Sequence, residues 1–176
     1  MGFELGPCQI LYGNIGAAMN NMVDLGKTYG GVTLSIEESK QQLKSDQLGE
    51  TPEDESITGR TVKITASLAD ISLNSFAVIT NTTVSGTGNN AYVHVGSGAG
   101  TSLMTASKKF VLKPYENGAP SNNALRYITL YKGGISSAVE AVYDSSTQRV
   151  LKFEVIGYPY NNANNAIVAF GNSNIA

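Results

Sequence analysis

Tryptophan is absent from this 176-residue chain, cysteine and histidine occur once each, and only 15% of residues are charged. A single cysteine, Cys8, excludes an intramolecular disulfide and fits a reducing compartment as a small apolar side chain. His94 has no neighbouring Cys or His at metal-site spacing, and Gly-x-Ser-x-Gly is missing, so enzymatic chemistry has little support. No stretch approaches the roughly 18 apolar residues of a membrane span. The opening MGFELGPCQILYGN lacks the basic segment and continuous apolar run of an export signal, and Gly6 stands where an acylation signal needs Ser or Thr. With a net charge of −2 and a pI near 5.4, a dedicated nucleic-acid binder is disfavoured, because its affinity would come from counterions released by clustered Lys and Arg.

What is present points to short strands joined by many turns. Hydrophobic residues make up 41% of the chain and glycine accounts for 19 positions, while asparagine recurs in pairs such as Asn20-Asn21, Asn89-Asn90 and Asn122-Asn123, a composition that favours turns. The length fits one domain, residues 1–176, that buries about 68–70% of its unfolded surface in one core. Apolar residues alternate from Val32 to Ile36 and again from Thr61 to Leu68, which predicts two half-buried strands. Between them lies a polar excursion, about residues 39–59, too long for a tight turn and too polar for a core, and it is expected to project as a long loop or arm. Gly30-Gly31 predicts a turn or bulge before Val32.

Elsewhere, Cys8 to Tyr12 predicts a strand followed by a loop. Leu68, Ile71, Ser75 and Phe76 at helical spacing predict a short helix with Ser67 as its N-cap. Tyr92 to Val95 suggests a hairpin or surface excursion within Gly-rich sequence. Lys108 to Lys113 predicts a strand ended by Pro114. Arg126 to Tyr131 predicts one halted at Gly133-Gly134, central or at an interface since both faces carry bulk. Val150 to Ile156 pairs with Ala138 to Tyr143 across the polar loop Asp144 to Gln148. The tail 161–176 holds an apolar patch, Ala166 to Phe170, suited to docking on a neighbouring copy.

Weak motifs favour plain readings. Gly96 to Gly100 lacks the Lys-Ser/Thr ending of a phosphate loop, and Glu50, Glu53, Asp54 and Glu55 do not match a calcium-loop spacing, so neither a cofactor nor a metal is expected. The acidic arm reads as a solvated surface.

The order GGVTLSIEES, DQLGETPEDESITGR, TVKITASL and LADISLNSF resembles the first half of a phage major tail tube protein. The resemblance is strongest over Val23 to Phe76, and rests on arrangement rather than on an invariant motif. It implies a mainly β fold, sandwich- or barrel-like, with one short α-helix and a projecting loop. It further implies a homo-oligomer of stacked, hexameric rings through which double-stranded DNA passes during ejection without specific binding. Tape measure, terminator and baseplate proteins would be partners, and the site of action would be the virion tail, assembled in the host cytoplasm. On that expectation Gln47, Glu50, Thr51, Glu53, Asp54 and Glu55 make inter-ring arm contacts, with Lys108, Lys109, Lys113 or Arg149 of the next copy as candidate partners. A bore that must not retain DNA needs hydroxyl, amide or acidic linings. Thr33, Ser35, Glu37, Thr61, Thr65 and Ser67 are the lumen candidates, with Lys63 as an exception on the same face. The same fold in a contractile tail, a tail-like bacteriocin or a type VI secretion tube is an alternative. An extracellular β-sandwich adhesin or carbohydrate-binding module is another, permitted by Tyr-rich strands and Asn-rich loops and opposed by the missing export signal and the absent tryptophan.

Overall fold

The computed structural model describes residues 7–44, 46, 50–136, 140–141, 149–161 and 165–172. Strands dominate them: β1 (Cys8–Gly13), β2 (Val23–Asp24), β3 (Thr28–Lys44), β4 (Pro52–Leu68), β5 (Val84–Ser85), β6 (Tyr92–Val93), β7 (Lys108–Glu116), β8 (Ala119–Pro120), β9 (Ile128–Ile135), β10 (Glu140–Ala141), β11 (Leu151–Gly157) and β12 (Val168–Phe170). One helix, α1 (Leu73–Ile79), lies among them. The protein is mainly β.

Ten strands form one antiparallel sheet with the order β2-β1-β7-β9-β11-β4-β3, while β5 and β6 pair separately. The two ends of that order, β2 and β3, are joined only by residues 25–27. The four Cα–Cα steps from Asp24 to Thr28 reach no further than about 14 Å, so the two ends of the order lie close together. Leu25 N donates to Ile10 O at 2.9 Å and Thr28 Oγ1 to Cys8 O at 3.4 Å across that junction.

The concave side holds the main core: Ile10, Leu25, Val62, Ile64, Leu68, Ile79, Phe110, Leu130, Leu151, Phe153 and Val155. The alternation seen in sequence accounts for β4 and β11, whose buried side chains fall on every second residue. A smaller cluster of Leu11, Val111 and Tyr127 packs on the opposite face, under Met19, Met22 and Ala124. This second layer covers the other face of β1 and β7 and the residue leading into β9, whose own Tyr131 stacks on Tyr160; β7 and β9 therefore carry bulk on both faces. They are central strands.

Local departures from the sequence reading have physical causes. The helix starts at Leu73 rather than Leu68 because Leu68, fully buried, pairs with both Leu151 and Thr28 as the last residue of β4. Ser72, not Ser67, is its N-cap: Ser72 Oγ accepts from Ser75 N at 3.0 Å. β7 continues through Pro114, since Tyr115 N donates to Pro7 O and Pro114 O accepts from Ser121 N, bracketing the missing donor. The apolar patch of the tail forms β12 on β9 of its own chain, although Phe170 stays exposed. The loop Asp144 to Gln148 and the last residues of the tail lie outside the described residues.

β9 also runs through Gly133 and Gly134 instead of stopping there. A Cβ on Gly133 would sit 2.6 Å from Val155 Cγ1, 2.8 Å from Leu130 Cδ2 and 2.9 Å from Phe110 Cδ2. Gly133 is thus set by close packing. We expect Gly133→Ala to lower unfolding free energy by about 1–3 kcal/mol, the usual range for overpacking a core. Gly59→Ala, with nothing within 4 Å of the added carbon, should stay within about 0.5 kcal/mol of the wild type. Urea denaturation of the two variants checks this, and equal midpoints would refute the packing explanation.

Candidate functional site

β3 and β4 form a hairpin whose inner half belongs to the sheet and whose outer half leaves it. From Ile36 to Lys44 and from Thr51 to Thr61 every residue is exposed. At the usual rise of a strand, the eight residues from Glu37 to Lys44 carry the ribbon ~26 Å outward. The excursion expected as a loop is therefore a paired ladder, with Glu38 opposite Arg60, Gln41 opposite Ser56 and Gln42 opposite Glu55. Away from the core, pairing the strands satisfies backbone groups that a loop would leave to water.

Side chains pin the ladder at intervals. Arg60 Nε meets Glu38 Oε1 at 2.8 Å, and Gln42 Nε2 donates to Glu55 Oε1 at 3.1 Å. Register shifts leave Thr58 and Glu53 as extra residues on β4, and Thr58 Oγ1 donates to Ser39 O at the first of them. The expected bulge at Gly30-Gly31 is present between the Thr28 and Val32 pairs, with φ of 74° and 92°. Of the candidate arm residues, Glu53, Asp54 and Glu55 lie on the outer part of β4, Glu50 and Thr51 next to it, and Gln47 outside the described residues.

The six lumen candidates share one face. Thr33 pairs with Thr65 and Glu37 with Thr61, while Ser35 faces Lys63. The opposite side of β4 carries the buried Val62, Ile64, Ala66 and Leu68. β11 extends the exposed face, placing Lys152 beside Ser67, Glu154 beside Thr65 and Ile156 beside Lys63. Reading strands singly misses these three residues. Cross-strand register finds them. The assembled face thus carries hydroxyls with Glu37 and Glu154 against Lys63 and Lys152.

Lys108, Lys109 and Lys113, considered as partners for the acidic arm, are each engaged within their own chain. Lys109 is buried, its Nζ donates to Ala17 O at 3.0 Å, and desolvation lowers its pKa. Lys108 donates to Asn14 Oδ1, and the Lys113 ammonium lies 4.9 Å from the Tyr127 ring centroid. His94 is exposed and packs edge-on against Tyr92 at 4.8 Å.

An open cleft of about 570 Å³ lies where the sheet ends meet, lined by Cys8, Gln9, Asp24, Thr28, Asp70 and Tyr115 among others. Both oxygens of Asp24 are used within the fold, accepting from Gln9 Nε2 at 2.7 Å and Gly26 N at 2.9 Å. Burial pushes the Cys8 thiol up to about 11, so little thiolate exists near neutrality. Among the described residues no group of three or more His, Cys, Asp or Glu is placed to hold a metal, and no helix is long and apolar enough to cross a membrane.

No protein-family model matches the chain, and no curated protein matches it.

The Cys8 environment has a measurable consequence. At pH 8, alkylation by iodoacetamide should be slower in the native protein than in urea by on the order of tenfold to a hundredfold, following the thiolate fraction. Equal rates, followed by mass spectrometry, would show that the thiol is not desolvated.

Proposed function

We propose that this protein is the structural subunit of a viral tail tube, self-assembling into stacked, hexameric rings around a channel for DNA. The observation that carries the reading is the β3–β4 hairpin, where a sheet edge that no strand among the described residues pairs with and a face of small hydroxyls occur on the same two strands. Such an edge tends to pair with another chain, and a ring lets every copy pair through one repeated contact. The Thr33/Ser35/Thr61/Thr65/Ser67 face then lines the bore. Neutral hydroxyls hydrate it without collecting phosphate, and Glu37 and Glu154 offset Lys63 and Lys152 in any contact with DNA. Tape measure, terminator and baseplate proteins are the partners this role requires, and no resident cofactor has a part in it.

Negative-stain imaging of concentrated protein tests the reading: rings or tubes are expected, and a particle that never exceeds one copy would overturn it. Replacing residues 41–56 by Asn-Gly between Lys40 and Ile57 should leave a folded, soluble subunit that does not polymerise. Tubes of normal length from that variant would remove the arm from assembly. The bore is tested by Thr33→Lys with Thr65→Lys, a directly opposed pair. Tubes of this variant should retain double-stranded DNA at low salt and release it as salt rises, while wild-type tubes should not retain it. DNA retention by neither would place that face elsewhere than the channel.

A further inference from the structure

The outer halves of the two ribbon strands carry opposite charge. On β3 the outer segment, residues 39–44, reads Ser-Lys-Gln-Gln-Leu-Lys, and on β4 residues 52–58 read Pro-Glu-Asp-Glu-Ser-Ile-Thr. Within one copy the two lysines stand directly opposite uncharged residues, Lys40 opposite Ile57 and Lys44 opposite Pro52. Each strand also has an outer edge. Among the described residues, no strand pairs with β3 on the side away from β4, nor with β4 beyond Lys63 on the side away from β3. The ribbon therefore presents a basic strand edge on one side and an acidic strand edge on the other.

We infer that the ribbons of neighbouring copies pair side by side, the acidic β4 of one against the basic β3 of the next. Rotation about a ring axis preserves the direction of each ribbon, so the contact is antiparallel, like the hairpin itself. Rotation also preserves which face of the ribbon looks inward. Lys40, Gln42, Lys44 and Glu55 share one face, since Lys40 pairs with Ile57 and Gln42 with Glu55. A lysine of one copy and Glu55 of the next thus project from the same side of the joined sheet, where opposite charges on adjacent strands attract. The pairing is directional. Acid-to-acid and base-to-base approaches repel, so each ribbon accepts one neighbour on each side and a head-to-head dimer is disfavoured.

This rests on the tube reading only in taking the copies to be related by rotation. Two charge-reversed full-length chains test it, Lys40→Glu with Lys44→Glu, acidic on both edges, and Glu53→Lys with Glu55→Lys, basic on both. All four positions are exposed, and circular dichroism with urea midpoints should match the wild type. At low salt each variant alone should lose at least about tenfold in assembled fraction by sedimentation, while an equal mixture recovers it by alternating. Six copies permit strict alternation. If either variant alone assembles like the wild type, or the mixture of folded variants fails, the pairing is wrong, and wild-type tubes in the same experiment would leave the tube reading standing. Recovery in the mixture with closed rings that never stack would support the pairing and count against the tube.

Discussion

An extended strand exposes a row of N–H and C=O groups along each side, and every such group must find a partner or water. This constraint orders the molecule. At one place the chain satisfies it between strands that follow closely, Leu25 N donating to Ile10 O where β2 leads into β3. At another, a long polar segment that has no core to join satisfies half of it by folding into a ladder with itself. The remaining half, the two outer edges of the ribbon, is left to solvent or to another copy. The assembly proposed above follows from that remainder, with the charge carried by each strand selecting among the pairings that hydrogen bonding alone would allow.

The two faces of the sheet divide the work. Side chains on the concave side hold the fold through contacts such as Phe110, Leu130 and Phe153, where the absence of a methyl group at Gly133 matters. On the other side, β1 and β7 are sealed by a second small cluster, whereas β3 and β4 leave hydroxyl groups in the open beside Lys152 and Glu154 of β11. Stability and surface chemistry are thus carried by alternate residues of the same strands. Substitutions on the hydroxyl face can alter its surface chemistry without disturbing the packing beneath.

Much of this was legible in the sequence. Period-two alternation located β4 and β11 and sorted their faces correctly, because both are covered on one side only. It underestimated β3 and β4, since ribbon residues exposed on both faces have no reason to alternate. It misplaced the stops at Pro114 and Gly133-Gly134 for a related reason: breakers are breakers only where their missing atoms are needed. Pro114 falls between bonds made by its neighbours, and Gly133 is small because Val155, Leu130 and Phe110 crowd it. The contribution of Lys152, Glu154 and Ile156 to the polar face depends on register between strands far apart in sequence, which no single segment encodes.

β11 and β12 lie along one edge of β9 in the same direction. Tyr158 N donates to Lys132 O, Tyr131 N donates to Ile167 O, and Tyr160 N donates to Ala166 O. The ladder reads on as though nothing had been spliced into it. Because each strand is held on β9 by its own bonds, chain added between Tyr160 and Ala166 costs little closure entropy, and evolution, or a tag, can insert material there without resetting either strand.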